Sequence, residues 1–237
     1  RILAIDLSRS SLVYAIRKTR ELGVSSIDYA QADLLKLGSL GRQFDVVEAG
    51  GVLHHLADPW TGWRALLTVL RPGGFMFVGL YSSIARQELV GLRKSISAEG
   101  YGTTAEEIRR WRQDFLNANN QVGRADGRPS DLFTISSCRD LLFHVQEHHV
   151  TLTEIELFLA ENNLTFLGFD VAPDILQSYR VRFPDDRAAT NLAQWQAFER
   201  EHPETFFGMY QFWVRKRKDS TLTPARGTSR GSRRRST

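Results

Sequence analysis

The stretch Phe44-Asp45-Val46-Val47-Glu48-Ala49-Gly50-Gly51-Val52-Leu53-His54-His55-Leu56, followed by Ala57-Asp58-Pro59, constrains this chain more than any other. Its first six residues read as a buried strand. The strand stops at small residues, turns, and leads to a helix start with Asp58 as N-cap and Pro59 as the first helical residue, where a missing N–H costs nothing. Such a layout leaves backbone open beside the carboxyl end of a strand, which is where open α/β sheets bind ligands. Ala49, Gly50 and Gly51 are small enough to let a ligand approach the main chain, and Val52 and His55 stand beside them.

Around this stretch the hydrophobic pattern alternates between strand and helix. Ile2–Asp6 reads as a strand, and Ser8 caps a helix whose Leu12, Ala15, Ile16 and Leu22 recur at helical spacing until Gly23. Ile27–Asp33 is a second strand, Phe44–Ala49 a third, Pro59–Leu70 a helix, and Phe75–Tyr81 a strand apolar on both faces, as an interior parallel strand must be. Beyond Ser82 the alternation gives way to an insertion, in which Thr104 and Glu107 form a capping box, and to a polar loop from Asn117 to Ser130. Thr151 and Glu154 open another helix by the same device. A strand over Leu164–Asp170, helices near Ile175–Phe183 and Leu192–Glu201, and a last strand over Phe206–Val214 complete the pattern.

Two acids follow strands. The carboxylate of Asp6 has acceptor sites on two oxygens and so suits the paired hydroxyls of a ribose, although nicotinamide-dependent dehydrogenases place an acid there as well. Asp33, between the apolar Ala32 and Leu34, suits an adenine amino group with the ring covered on either side. With Leu70-Arg71-Pro72-Gly73-Gly74-Phe75 one helix later, the Phe44–Leu56 stretch resembles the fourth and fifth strands of the class I S-adenosylmethionine (SAM) dependent methyltransferases. The resemblance covers about residues 1–82 and, more loosely, 151–216. It also extends to uncharacterised bacterial methyltransferases that often carry tetratricopeptide repeats upstream.

This resemblance implies an α/β fold, a Rossmann-like parallel sheet with helices on both faces, an antiparallel last strand and a cap-like insertion over about residues 83–150. The methyltransferase domain would occupy residues 1–216. It implies SAM as cofactor, held by Asp6, Leu7, Ala32, Asp33, Leu34, Ala49, Gly50, Gly51, Val52 and His55, and in-line transfer of its methyl group to an acceptor, a small molecule or a protein. The family's first strand and its Gly-x-Gly-x-Gly loop are missing, because the chain opens on what resembles the second strand and without an initiator Met. The expectation is therefore a fragment with two unpaired interior edges, poorly packed or aggregating, inactive and without measurable SAM affinity.

The segment from Cys138 to His149 concentrates ionisable groups. His144-x-x-Glu147-His148 matches the inverzincin pattern of two zinc-binding histidines on one helix, but the surrounding alternation belongs to a cofactor fold, and no metal is expected. One reading puts Tyr81, His144, Glu147 and His148 in a substrate pocket, with His55 and His144 as candidate proton acceptors because imidazole titrates near neutral pH. The other has this segment packing through Leu141, Leu142, Phe143 and Val145 with its polar groups satisfied locally. A nicotinamide oxidoreductase and a non-catalytic binding module on the same scaffold are the alternatives for the whole chain.

Composition limits the partners. The single cysteine, Cys138, excludes an intrachain disulfide and a zinc ribbon, which fits a reducing cytoplasm. No apolar run is long enough for a membrane span. The net charge of +4 is uneven: residues 215–237 hold nine Lys/Arg and one acid, leaving residues 1–214 at −4. The basic, Ser/Gly-rich end, residues 217–237, reads as a disordered tail whose contact with nucleic acid would be weak and salt-sensitive. The aromatic run Phe206–Val214 reads as core rather than as a base-stacking platform.

Overall fold

A computed structural model describes residues 1–118, 134–143 and 147–218. The polar loop beyond Ala118, His144 and the basic tail beyond Lys218 lie outside these residues. In chain order the elements are β1 (Ile2–Asp6), α1 (Arg9–Glu21), β2 (Ile27–Gln31), a 3-10 turn (Leu34–Leu40), β3 (Phe44–Ala49), a second 3-10 turn (Leu53–His55), α2 (Pro59–Val69) and β4 (Leu70–Ser82). There follow α3 (Gln87–Ala98), α4 (Ala105–Ala118), α5 (Ile135–Leu142), β5 (His149–Val150), α6 (Leu152–Glu161), β6 (Leu164–Phe169), α7 (Pro173–Arg182), α8 (Leu192–Glu201), a 3-10 turn (Pro203–Phe206) and β7 (Tyr210–Lys216).

The caps read from the sequence are formed. Asp58 accepts hydrogen bonds from the backbone N–H groups of Trp60 (3.0 Å) and Thr61 (3.1 Å), with Pro59 beginning the helix. Thr151 and Glu154 make a reciprocal capping box, as do Thr104 and Glu107. At the other end of α2, Lys216 donates from Nζ to the carbonyls of Leu67 (2.8 Å) and Leu70 (2.9 Å), placing a cation where the helix exposes unpaired acceptors.

β4 is the axis of the larger sheet, whose order is β3-β4-β7-β6, with β5 also paired to β4. It runs parallel to β3 and β5 and antiparallel to β7, with Met76 opposite Val214 and Val78 opposite Phe212. Leu70, Met76, Val78 and Leu80 are fully buried, as expected for an interior strand. It begins earlier than the sequence suggested, because Arg71-Pro72-Gly73-Gly74 is accommodated as an irregularity: Phe44 pairs with Leu70 and Val46 with Phe75. Gly74 has to be glycine there, since a Cβ would lie 2.9 Å from the carbonyl oxygens of both Arg71 and Asp45.

The last strand starts later than expected, at Tyr210. Pro203 lacks an N–H and sets its own φ, and residues 203–206 coil into a 3-10 turn. Phe206 and Phe212 are nonetheless buried, with Phe169 packed against both, so the aromatic run is core. Trp63 of α2 stacks on Phe158 of α6 at 4.3 Å, and Trp195 of α8 stacks on Tyr179 of α7 at 3.8 Å. A separate cluster of Leu89, Ile96, Ile108, Trp111, Cys138, Leu142 and Phe143 gives the insertion, α3 to α5, its own small core.

β1 and β2 form a sheet apart, paired in parallel only with each other. The expected gap between β1 and β3 is present as a cavity of about 700 Å³ lined by residues 1–5 and 44–48. Among the described residues no strand pairs with the backbone N–H and C=O groups along these two facing edges. The apolar spacing read for α1 places Leu12, Ala15 and Ile16 half-buried on the side facing β1 and β2, whereas Leu22, past the helix end, is 77% exposed.

Hydrogen exchange by mass spectrometry should therefore find amides of β1 and β2 opening at least about tenfold faster than those of β4 and β7, since few buried contacts hold the smaller sheet. Equal protection of the two sheets would contradict this.

Candidate functional site

The carboxyl ends of β3 and β4 lie side by side, and glycine makes this possible. Gly51 has φ +76°, a left-handed conformation that favours glycine. A Cβ on Gly79 of β4 would overlap Met209 Sδ and stand 3.0 Å from the Gly51 nitrogen. The Gly50–Gly51 turn, Gly79 and Met209, just before β7, thus form one tight backbone junction.

Past this junction the 3-10 turn Leu53–His55 splits its two histidines. His54 is fully buried, whereas His55 is exposed. Their Nε2 atoms are 3.1 Å apart, so one donates and the other accepts. The His54 ring packs 3.9 Å from that of Tyr81, at the end of β4. Burial, helped by the neighbouring His55, pushes the His54 imidazole down to about 3, so it is neutral at physiological pH.

β5 brings the second half of the cluster. Tyr81 pairs with His149 in the parallel ladder, and the backbone N–H of His148 donates to His54 O at 2.9 Å. Glu147, its side chain 2% exposed, meets His149 Nε2 at 2.6 Å through one oxygen and Arg93 Nη2 at 3.0 Å through the other. Burial alone would raise this carboxyl, but the hydrogen bonds from His149 and Arg93 outweigh it and hold Glu147 at about 2. Behind Tyr81, buried Glu199 of α8 accepts from Ser82 Oγ and from Tyr210 Oη (2.6 Å). Burial raises the Glu199 carboxyl despite both bonds.

On the far side of the 700 Å³ cavity stand the two acids. Asp6, at the end of β1, accepts from the Ser8 backbone N–H at 2.7 Å through Oδ1. Asp33 caps the following 3-10 turn by accepting from the Leu35 N–H at 3.0 Å. Ala32 and Leu34 pack against the main core and Leu7 is exposed. Gly50 and Val52 line the opposite wall.

Residues 1–78 match the family model described as a methyltransferase domain. An uncharacterised protein of Synechococcus sp., syc1184_c, is 31% identical over 216 residues, covering 83% of this chain and 50% of that protein. The ubiquinone biosynthesis O-methyltransferase of Ralstonia nicotianae is 37% identical over 100 residues, 41% of this chain and 40% of the enzyme. The chain spans about half the length, or less, of these curated relatives. Among solved structures, PKMT2 from Rickettsia typhi matches with a TM-score of 0.63 at 12% identity, over 90% of this chain and 43% of that one. The same protein in complex with AdoHcy matches with a TM-score of 0.59.

Residues 1–78 thus carry a methyltransferase-domain sequence, and the fold is the Rossmann-like α/β fold of solved methyltransferases. SAM is the cofactor of that domain family, and two residues of this chain suit its adenosine half: Asp6 and Asp33 each keep an oxygen beyond the one that caps local backbone. Gly50 and Gly51 offer open main chain, but the facing edge of the cavity holds no strand to close on the methionine half.

The structure places Tyr81 and the backbone of His148 against His54, with His55 on the outer side of His54 and Glu147 bonded to His149. His144 falls outside the described residues. The helix required by the inverzincin pattern is not formed at its far end, because Glu147 and His148 are non-helical and lead into β5, whose pairing with β4 claims the backbone. Sequence reasoning passed over His54, Arg86, Arg93 and His149. His54 carried a usable signal, since in a tight turn between buried elements one of two adjacent histidines has to face inward.

His54 and Glu147 make the fold acid-sensitive. A buried histidine kept neutral loses its stabilising contribution as pH falls from 6.5 towards 3, because the unfolded chain binds the proton first. The Glu147 contribution is complete above the ordinary value of 4.5 and is lost as pH falls towards 2. Glu147→Gln should lower stability at pH 7 by about 3 kcal/mol, as breaking a buried pair does. It should also flatten the acid limb by up to about 1.4 kcal/mol per pH unit. Urea titrations between pH 3 and 7 check both, and an unchanged slope would show that this carboxylate titrates alike in both states.

Proposed function

We propose that this chain transfers the methyl group of SAM in line to an acceptor seated against Tyr81, His55 and His149, backed by the buried His54 and Glu147, beneath the α3–α5 cap. The observation that supports this most is the convergence of the Gly50–Gly51 turn with that polar cluster at the carboxyl ends of two neighbouring strands. When bound, SAM supplies an electrophilic methyl on a positively charged sulfur. The protein's part is chiefly to hold the acceptor in line and exclude water. Asp6 takes the ribose hydroxyls, Asp33 the adenine amino group, and the Gly50 and Gly51 backbone faces the methionine portion.

His54, neutral and buried, fixes the ring of His55 through the 3.1 Å contact, and His55 takes the acceptor's proton where the acceptor has one to lose. His144 is the second candidate for that role. The unpaired edges of β1 and β3 support the further reading that residues 1–237 alone hold SAM too weakly to measure, until a strand placed between those edges closes the methionine side.

Calorimetry on the full-length gene product tests the assignment. Asp6→Ala and Asp33→Ala should each weaken SAM binding by about 1–3 kcal/mol, the scale of hydrogen bonds to a charged group, and unchanged affinity in both would remove these residues from the site. His55→Ala and His144→Ala should lower kcat with little change in SAM affinity. Parallel loss of both would assign them to folding instead. For residues 1–237 alone, micromolar SAM affinity would show that the cavity between β1 and β3 needs no strand.

A further inference from the structure

Arg86, the residue before α3, is 5% exposed. Its guanidinium carbon lies 3.7 Å from the centre of the Tyr81 ring, the same ring that His54 packs against at 3.9 Å. Guanidinium offers five N–H donors and stays charged in proteins. Nη2 donates to Gly208 O at 3.2 Å, while Nε is buried with no hydrogen-bond partner.

Among the described residues no carboxylate comes within ion-pair distance of Arg86. Glu147 acts on it only at longer range, since both Glu147 oxygens are already taken by Arg93 and His149. Glu147 thus pairs with the half-buried Arg93 and leaves the buried Arg86 without a close counter-charge. A charge buried without a close partner is destabilising. Stacking on Tyr81 offsets part of that cost but leaves Nε unsatisfied.

The position matters as much as the charge. Gly208, whose carbonyl accepts from Nη2, precedes Met209, and Met209 packs on Gly51 and Gly79 at the β3–β4 junction. Tyr81 and His149 are half-buried, so the cluster meets solvent at its edge. We propose that Arg86 anchors an oxyanion, a carboxylate or a phosphate carried by the methyl acceptor, beside Tyr81. The inference rests on the acceptor site assigned above. The planar fork of arginine matches either oxyanion through two parallel N–H bonds, which a lysine does not reproduce.

The test uses the 237-residue chain and three probes at constant ionic strength: benzoate, inorganic phosphate and, as the uncharged control, benzyl alcohol. Thermal unfolding and calorimetry should show saturable stabilisation by one of the oxyanions and none by benzyl alcohol, and the anion that acts tells carboxylate from phosphate. Arg86→Met should abolish the effect, and Arg86→Lys should weaken binding by about tenfold or more, the difference between a fork and a point charge. Methionine relieves a buried charge and so should not threaten folding, and Arg86→Gln serves as a second variant.

Absence of saturable stabilisation by either anion, or equal stabilisation of wild type and Arg86→Met, overturns the proposal. Because the probes report without SAM, the two readings separate. SAM affinity in the full-length product with no oxyanion site defeats only this inference, and an oxyanion site without SAM affinity defeats only the methyltransferase assignment.

Discussion

The structure depends on the burial of β4. A strand with a fully buried face needs neighbours along both edges, and β4 obtains them from β3, β5 and β7. Each of these pairings has a consequence beyond the sheet. Pairing with β3 sets the Gly50–Gly51 turn beside Gly79. Pairing with β5 swings Glu147 and His149 over Tyr81. Pairing with β7 brings Met209 to the junction and leaves Lys216 to satisfy the carbonyl end of α2. The polar cluster is thus assembled by the same backbone ladder that buries Met76, Val78 and Leu80.

Where that ladder stops, the character of the molecule changes. The β1–α1–β2 unit has its own parallel pairing but contributes no fully buried residue from α1. The helical cap has the opposite arrangement, a compact core of its own around Ile108 and Trp111. It is tied to the sheet through polar contacts, including Arg93 with Glu147 and Arg86 with the Gly208 carbonyl. Hydrophobic burial therefore holds the centre, while the parts on either side of the proposed ligands are joined to it more sparingly.

Much of this was legible in the sequence, and the reasons are local. Asp58-Pro59, Thr151–Glu154 and Thr104–Glu107 carry their capping partners within three residues, so those helix starts could be read directly. Strand ends were harder. The start of β4 depends on how Arg71–Gly74 lies against Asp45, and the start of β7 on whether Pro203 begins a turn, both matters of contact between distant segments. The half of the site formed by Asp6, Asp33 and Gly50 followed from acids and glycines at strand ends. The half formed by His54, Arg86, Arg93 and His149 was hidden, because it exists only once β5, a strand of two residues, pairs with β4.

The cavity separates Asp6, at the end of β1, from the glycines at Gly50 and Gly51, while Asp33 caps a 3-10 turn that packs on the main core. A cofactor that touches both would act as a non-covalent cross-link between them, and its affinity would include whatever free energy aligns the sheets. By linkage, the same molecule would stiffen the β1–α1–β2 unit to the extent that it binds only the aligned form. Occupancy of the cofactor site would then be felt at α1, a helix that touches neither the Gly50–Gly51 turn nor the polar cluster.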